Sequence, residues 1–247
     1  MTSHPDIREL SPGKTVGSVL STHTSKRWGN AHVSITGDDD GQKYVVKDFS
    51  VCNFFVRHTT SRFLLWRETR AFLRLQDIDG MPGPPIIREK WSLKYPYFPG
   101  ITLREATAKQ HKIETSFYED LEALVMAMHK KGVVHLDLRN RRNILVTTDN
   151  KPALIDFQTA IFTDHLPGFI RRFLFAVDLS GVYKHWHKVL PQTLTRDRQE
   201  VVNKMASVRH LWVVKGYPIR SLFRRLRGEK PGNKRNRQKI EIKDTED

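Results

Sequence analysis

The feature that most constrains this chain is a polar stretch at 135–143 bordered by short apolar segments. It reads His-Leu-Asp-Leu-Arg-Asn-Arg-Arg-Asn, continues as Ile-Leu-Val, and after a turn leads to Leu-Ile-Asp-Phe. The stretch therefore offers two carboxylates, Asp137 and Asp156, and one carboxamide, Asn143. Mg²⁺ is a hard cation that takes oxygen ligands, so Asn143 and Asp156 suit a metal ion. A separate carboxylate such as Asp137 can accept the proton of an attacking hydroxyl, so the stretch predicts phosphoryl transfer.

These residues resemble the motifs of the protein-kinase-like superfamily. His-x-Asp…Asn-Ile-Leu-Val is similar to its catalytic loop, and Ile-Asp-Phe is similar to its metal-binding Asp-Phe-Gly segment. The resemblance implies that Asp137 is the catalytic base and that Asn143 and Asp156 are the metal ligands. It also implies ATP and Mg²⁺ as cofactors.

Three further residues match the superfamily by position. Lys47, in Tyr-Val-Val-Lys, matches the strand lysine that holds the α- and β-phosphates, and Glu68 matches its ion-pair partner. Arg139 stands two residues after Asp137, where protein kinases often carry a lysine that touches the transferred phosphate. His135 is interpreted as structural, orienting the loop by hydrogen bonds.

The sequence departs from eukaryotic protein kinases in several places. Asn143 is six residues after Asp137 instead of five, so one residue is inserted in the loop. Residues 25–30 contain one glycine where a glycine-rich phosphate loop is expected, and Gln158 replaces the glycine of Asp-Phe-Gly. No Ala-Pro-Glu segment follows. These features are closer to the small bacterial lipopolysaccharide kinases, which act on sugar acids or heptoses, and to RIO-type kinases.

The predicted fold is α+β, with two lobes as in protein kinases. Short β-branched segments and a helix near 61–76 predict an N-lobe of five antiparallel strands plus one helix, over 1–99. Residues 95–100 resemble the hinge between lobes. A compact, mostly helical C-lobe is predicted over 100–227, and a charged, disordered tail over 228–247.

The second half of the chain opens with a predicted amphipathic helix that ends near Gly132. Its apolar stripe runs from Ile113 to Met128, and Ser116 with Glu119 predicts a capping box. Farther on, His185 and His187 stand at alternate positions of a predicted helix and do not share a face, so a surface location is favoured over a metal site.

The composition indicates an anionic partner and excludes chemistry that needs more than one cysteine. Lys and Arg number 42 against 27 Asp and Glu, a net charge of +15, which suits nucleotide phosphates, nucleic acid or a membrane surface. Cys52 is the only cysteine, which excludes an internal disulfide and favours a reducing compartment. No signal peptide or membrane-spanning run is apparent, so the expected location is cytoplasmic.

The C-terminal basic segment leaves two interpretations open. Ile219, Leu222, Phe223 and Leu226 are spaced as one helical stripe, with arginines alongside. Such a helix either lies on an anionic membrane, at the inner face of the cell membrane, or packs against the C-lobe. Nucleic-acid binding is not expected, because no recognised nucleic-acid motif accompanies the charge.

The sequence as a whole predicts an ATP- and Mg²⁺-dependent kinase that phosphorylates a hydroxyl group. The favoured acceptor is a lipopolysaccharide-core sugar or another membrane glycolipid. One alternative is a RIO-like protein Ser/Thr kinase. The other is a pseudokinase that binds nucleotide as a scaffold, which the inserted loop residue and the missing glycines would suit.

Overall fold

The computed structural model describes residues 19–24 and 31–214. The chain divides into two compact units, residues 1–203 and 204–247. The second unit is described only over 204–214, where the backbone is helical. The predicted basic helix at 219–226, the predicted tail at 228–247 and the segment at 25–30 lie outside the described residues.

A five-stranded antiparallel sheet forms the first half of the larger unit. Its spatial order is β1-β2-β3-β5-β4, so β3 lies at the centre. Asp38 closes the β2–β3 turn by accepting the Gln42 amide at 2.8 Å. The strands are β1 (Val19–Thr24), β2 (His32–Gly37), β3 (Lys43–Asp48), β4 (Ile87–Arg88) and β5 (Ser92–Pro96).

Two helices accompany this sheet, where the sequence predicted one. The predicted helix is α2 (Thr60–Leu75), and the short α1 (Phe54–His58) precedes it. A five-residue helix is too short to display a 3.6-residue period, so the pattern does not reveal it. The buried face of α2 packs its Phe72 ring edge-on to Tyr95 of β5, with centroids 4.9 Å apart.

The second half of the larger unit is mainly helical, with two small sheets. One sheet has the order β6-β8-β9, and the other pairs β10 with β7. The fold is therefore a small antiparallel lobe followed by a helical lobe, which confirms the predicted α+β class. From residue 101 onward, the elements of the described chain are β6 (Ile101–Thr102), α3 (Leu103–Ala108), α4 (Thr115–Lys130), β7 (Val133–Val134), β8 (Ile144–Val146), β9 (Pro152–Leu154), β10 (Ile161–Phe162), α5 (Gly168–Val189) and α6 (Arg196–Val214).

The predicted capping box of the long helix is wrong. α4 begins after Glu114, which makes no side-chain cap, and Ser116 lies inside the helix. The capping box instead starts α3: Thr102 Oγ1 accepts the Glu105 amide at 3.1 Å, and Glu105 Oε2 accepts the Thr102 amide at 3.0 Å.

The core of the helical lobe lies between α4 and α5. Tyr118 of α4 stacks on Trp186 of α5 with centroids 5.6 Å apart, and both side chains are fully buried. The predicted surface location of His185 is therefore wrong, because His185 is buried beside Trp186 and only His187 is exposed. Within 19–24 and 31–214, no helix is both long and apolar enough to cross a membrane.

Candidate active site

Lys47 lies between two carboxylates that come from different parts of the fold. Its Nζ is 2.6 Å from Glu68 Oε1 of α2 and 2.9 Å from Asp156 Oδ1, just after β9. The strand that carries Lys47 is the central β3, where this residue pairs with Val33 and Leu93. Lys47 and Glu68 are buried, whereas the Asp156 side chain is 42% exposed.

The electrostatics of this cluster keep Lys47 and Asp156 charged. Burial disfavours the cation, yet the carboxylates of Asp156 and Glu68 raise the pKa of Lys47 well above its ordinary value. Burial likewise opposes ionisation of Asp156, but the Lys47 charge holds the pKa of Asp156 below its ordinary value. For Glu68, which is more enclosed, burial outweighs Lys47 and raises the pKa.

The loop at 137–143 brings Asn143 against Asp137. Asn143 Nδ2 donates to the carboxylate of Asp137 at 2.9 Å and to its carbonyl at 3.1 Å. Two successive turns shorten the loop: the Asn140 amide donates to the Asp137 carbonyl at 3.2 Å, and the Asn143 amide to the Asn140 carbonyl at 2.9 Å. The six-residue spacing is therefore compatible with direct contact between the two side chains.

Strand pairing places Asp156 beside the same loop. Asn143 directly precedes β8, and the residues that lead to Asp156 directly follow β9, which is antiparallel to β8 with Ile144 opposite Leu154. Because the start of one antiparallel strand meets the end of its neighbour, the Ile155 amide reaches the Asn143 carbonyl at 3.0 Å. Asp156 then adopts a left-handed conformation with φ +67°.

His135 connects the two halves of the site. The Asp137 amide donates to His135 Nδ1 at 3.3 Å, so this nitrogen is the acceptor and Nε2 carries the proton. His135 Nε2 lies 3.0 Å from the Ile155 carbonyl, to which it donates. The ring is fully buried, so its contacts are those of a residue that orients the loop.

The sequence reasoning missed Asp178, a buried carboxylate of α5 that holds the loop. Asp178 accepts the amides of His135 at 2.8 Å and Leu136 at 2.7 Å, and it lies 3.2 Å from His129 Nε2. A signal was present, because Asp178 is the lone acid in the apolar run Phe-Leu-Phe-Ala-Val-Asp-Leu. Acids in such runs are rarely buried unless they are paired.

Arg139 lies on the α5 side of the loop. A Cβ built on Gly181 would come within 3.3 Å of Arg139 Cγ, so its aliphatic stem follows the helix closely. Arg139 is half-buried. Its role toward a transferred phosphate remains a prediction.

The donor set fits a magnesium ion better than a transition metal. Among the described residues, no group of three or more His, Cys, Asp or Glu side chains could hold a metal ion. The atoms of Asn143 and Asp156 that can ligate a metal are oxygens, and Mg²⁺ is commonly held by one or two such side chains together with substrate phosphates.

Comparisons with known proteins concern the family and the fold of the chain. A family model described as APH, phosphotransferase enzyme family, matches residues 57–166. The Rio2 kinase of Chaetomium thermophilum, solved as an ADP/Mg²⁺–phosphoaspartate complex, is similar with a TM-score of 0.55 and 19% identity, over 74% of this chain and 60% of that one. A second structure of Rio2 kinase from the same organism gives a TM-score of 0.50 and 19% identity, over 74% of this chain and 63% of that one.

The likeness to the Rio2 kinases is limited in coverage and in sequence identity. The chain spans less than two thirds of the Rio2 kinase chains, and at 19% identity the likeness shows a shared fold. No curated protein matches the sequence. The family match and the shared fold together support what the motifs predict, a phosphotransferase of the kinase type in the protein-kinase-like superfamily.

Proposed function

We propose that this protein transfers the γ-phosphoryl group of ATP to a hydroxyl group, with a sugar hydroxyl of a membrane glycolipid, of the lipopolysaccharide-core type, as the leading acceptor. The observation that carries the proposal is that the ion-pair cluster around Lys47 and the hydrogen-bonded pair Asp137–Asn143 are connected through one pair of strands. Lys47 contacts Glu68 and Asp156, and the strand pair that presents Asp156 also presents Asn143 to Asp137.

Lys47 is suited to hold nucleotide phosphates. It is a buried ammonium on a central strand, and Glu68 fixes its position at 2.6 Å. A desolvated cation held in place attracts phosphate oxygens more strongly than a solvated one, because its charge is less screened. We therefore assign Lys47 to the α- and β-phosphates and Glu68 to orienting Lys47.

Asn143 and Asp156 are the residues that would hold Mg²⁺. When bound, Mg²⁺ would neutralise the negative charge that accumulates on the transferring phosphoryl group. The Rio2 complex carries ADP and Mg²⁺, which supports the same cofactor pair here. Asn140 Nδ2 contacts Asn143 Oδ1 at 3.3 Å, so this contact would yield when Asn143 becomes a ligand.

Asp137 is assigned to the acceptor. Its carboxylate takes the proton of the hydroxyl while that oxygen attacks the γ-phosphorus, and the bond from that phosphorus to the bridging oxygen of ADP breaks. Arg139, two residues on, is assigned to the transferred phosphoryl group. Its guanidinium would complement the negative charge on the phosphoryl oxygens.

The acceptor assignment draws on charge and on the sequence resemblance. A net charge of +15 favours approach to an anionic membrane surface, where a glycolipid acceptor would be found. The same site residues would serve a RIO-like protein Ser/Thr kinase, and the Rio2 fold favours that second candidate. A pseudokinase is the remaining alternative.

One experiment separates these three. The protein and its Asp137→Asn variant are incubated with labelled ATP and separate lipid, sugar and protein fractions. Label in the lipid fraction supports the glycolipid acceptor, whereas label in protein supports the RIO-like alternative. Asp137→Asn should reduce transfer at least a hundredfold and leave ATP binding within threefold. Transfer within tenfold of the unmodified protein would contradict the role of Asp137, and no transfer to any fraction would favour the pseudokinase.

Vesicle binding tests the membrane part of the proposal. Binding to anionic vesicles should weaken as salt rises, because arginines near an anionic surface contribute on the order of 1 kcal/mol each. Replacing Arg220, Arg224, Arg225 and Arg227 with Ser should then reduce it sharply. If vesicles of any charge are ignored, a soluble acceptor is favoured.

A further inference from the structure

A cavity of about 460 Å³ lies beside the loop at 137–143. This volume falls within the roughly 300–1,000 Å³ of ordinary small-molecule pockets. The cavity is bordered by α3 and the turn after it, by the loop at 137–143 and by the end of α5. Its polar lining consists of Arg104, Thr107, Gln110, His111, Arg141 and Lys188.

The cavity lining is positively charged and contains no carboxylate to balance that charge. Arg104, Arg141 and Lys188 carry permanent positive charge, and no Asp or Glu lines the cavity. Among the ion pairs of the described residues, none involves these three side chains. Arg104 and Lys188 are exposed and Arg141 is half-buried, so water screens part of their mutual repulsion, and a bound anion would relieve the rest.

Arg141, the arginine that the loop itself contributes to the cavity, is held in place. Arg141 Nη1 donates to Thr107 Oγ1 at 2.8 Å, and the Arg104 amide donates to the Arg141 carbonyl at 3.2 Å. A guanidinium has five N–H donors, and the contact with Thr107 engages one of its nitrogens. The site is therefore preorganised on one side and keeps donors for a ligand.

One cation of the cavity, Arg141, also acts on the buried His185. Burial lowers the pKa of His185 to about 4, and the charges of Lys184, Arg141 and Arg139 act in the same direction. His185 lies directly below the loop, with Nε2 at 3.0 Å from the Leu138 carbonyl.

We infer that this cavity binds a phosphate ester carried by the acceptor, so that the kinase acts on a hydroxyl of an already phosphorylated molecule. This inference rests on the proposed function. A phosphomonoester carries nearly two negative charges and three acceptor oxygens, which match three cations better than the single charge of a carboxylate does. Arg141 stands four positions after Asp137, so their Cα atoms are at most about 14 Å apart even before the turn at Asn140 shortens the span. A phosphate held at Arg141 would therefore keep the rest of the acceptor near the loop that carries Asp137.

Direct binding tests the site apart from catalysis. With the nucleotide site filled by a non-hydrolysable ATP analogue and Mg²⁺, glucose 6-phosphate is titrated calorimetrically, with glucose and glucuronate as comparators. Glucose 6-phosphate should bind at least tenfold more tightly than glucuronate, and glucose should not bind measurably. The Arg104→Gln/Lys188→Gln variant should weaken glucose 6-phosphate binding at least tenfold.

The matched control is Lys43→Gln/Arg172→Gln, which removes the same charge from two exposed positions outside the cavity. It should change the affinity less than twofold. Equal weakening in both double variants would overturn the inference, because it would reduce the effect to net charge. Failure of both glucose 6-phosphate and a lipid phosphomonoester to bind would also overturn it.

Two phosphate sources are distinguished by a second arm. Vesicles of phosphatidylcholine with phosphatidic acid are compared with vesicles of phosphatidylcholine with phosphatidylglycerol at matched surface charge, in the Arg220/Arg224/Arg225/Arg227→Ser background. Binding that requires phosphatidic acid and is lost in Arg104→Gln/Lys188→Gln, without binding of glucose 6-phosphate, assigns the cavity to a lipid phosphate. Binding of glucose 6-phosphate without vesicle binding assigns it to a soluble one.

Kinetics separate this inference from the proposed function. With a phosphorylated acceptor, Arg104→Gln/Lys188→Gln should raise the acceptor KM at least tenfold and keep kcat within threefold. Phosphate binding without any ATP-dependent transfer would support the phosphate site and contradict the proposed kinase activity. Phosphoryl transfer with an acceptor KM that is unchanged in the double variant would support the kinase activity and contradict the phosphate site.

Discussion

At the scale of single residues, two asparagines share the carboxylate of Asp137. Asn143 contacts its Oδ2 at 2.9 Å and Asn140 contacts the same oxygen at 3.4 Å. Asn143 is 3% exposed, whereas Asn140 lies at the surface. The shorter contact and the deeper position favour Asn143 as the side chain that completes the site, with Asn140 as a neighbour that steadies it.

Alanine substitution tests this order. Asn143→Ala should weaken Mg²⁺-dependent ATP binding at least tenfold, because it removes an oxygen donor beside Asp156. Asn140→Ala should change it less than threefold. Nucleotide titrations with and without Mg²⁺ measure both effects, and the reverse order of the two variants would show that Asn140 is the ligand.

Whether the role of a residue can be predicted from the sequence depends on how close its partners are along the chain. Asp137, Asn143 and Asp156 fall within 20 residues of one another, and short strands fix their relative positions, so the spacing alone indicates a site. Asp178 acts on amides 42 and 43 residues away, and no spacing rule predicts that contact. His185 was misplaced for a similar reason, since its neighbour Trp186 is buried by packing against α4.

At the scale of elements, α5 supports the loop through a close approach at Gly181. A Cβ at this position would lie 3.0 Å from the Leu138 carbonyl carbon and 3.1 Å from the Arg139 nitrogen. Both contacts are with backbone, so a side chain could enter only by displacing the loop by a few tenths of an ångström. Glycine here permits the helix to lie directly against the chain that carries Asp137.

Gly181→Ala should therefore affect activity more than stability. Alanine favours the helix by about 1 kcal/mol over glycine, which offsets part of the steric cost in the free energy of unfolding. A small displacement of catalytic groups can cost far more in rate, since about 1 Å can cost about a hundredfold. We expect kcat to fall roughly tenfold while the unfolding midpoint in urea changes little.

Gly168→Ala is the matched control for this change. Gly168 begins the same helix, and a Cβ there meets nothing within 4 Å. Its activity should equal that of the unmodified protein. If both variants lose activity equally, close packing at Gly181 is not the cause.

Helices with a repeated amphipathic pattern could be predicted from the sequence, whereas the capping motifs that start a helix could not. The helix expected near 61–76 is observed as Thr60–Leu75, because a 16-residue amphipathic helix repeats its pattern several times. The capping box was assigned to the wrong helix, although Thr102 and Glu105 have the same spacing as Ser116 and Glu119. A capping motif of two residues recurs by chance, and the fold decides which copy starts a helix.

At the scale of the whole molecule, buried His185 makes the stability depend on pH. Its folded-state pKa of about 4 lies below the ordinary value of 6.5, so the unfolded chain binds the proton first as pH falls. The free energy of unfolding is unaffected by His185 above about pH 6.5 and decreases from there to about pH 4. The full effect is on the order of 3 kcal/mol.

His185→Gln isolates this contribution. Glutamine can still donate a hydrogen bond to the Leu138 carbonyl and does not titrate. The difference in unfolding free energy between the unmodified protein and this variant should be flat above pH 6.5 and shift against the unmodified protein below it. His187→Gln, at an exposed position of the same helix, is the control for loss of an imidazole. A pH-independent difference for His185→Gln would contradict the assignment.

The carboxylate of Asp178 also gives the protein a natural reporter of its opening motions. Because it accepts the amides of His135 and Leu136, those two protons can exchange with deuterium only when the loop separates from α5. We expect both amides to exchange as slowly as that of buried Val125 in α4. In Asp178→Asn, their exchange should accelerate at least tenfold relative to Val125. Equal acceleration at all three sites would mean that loop and helices open only as the whole fold does.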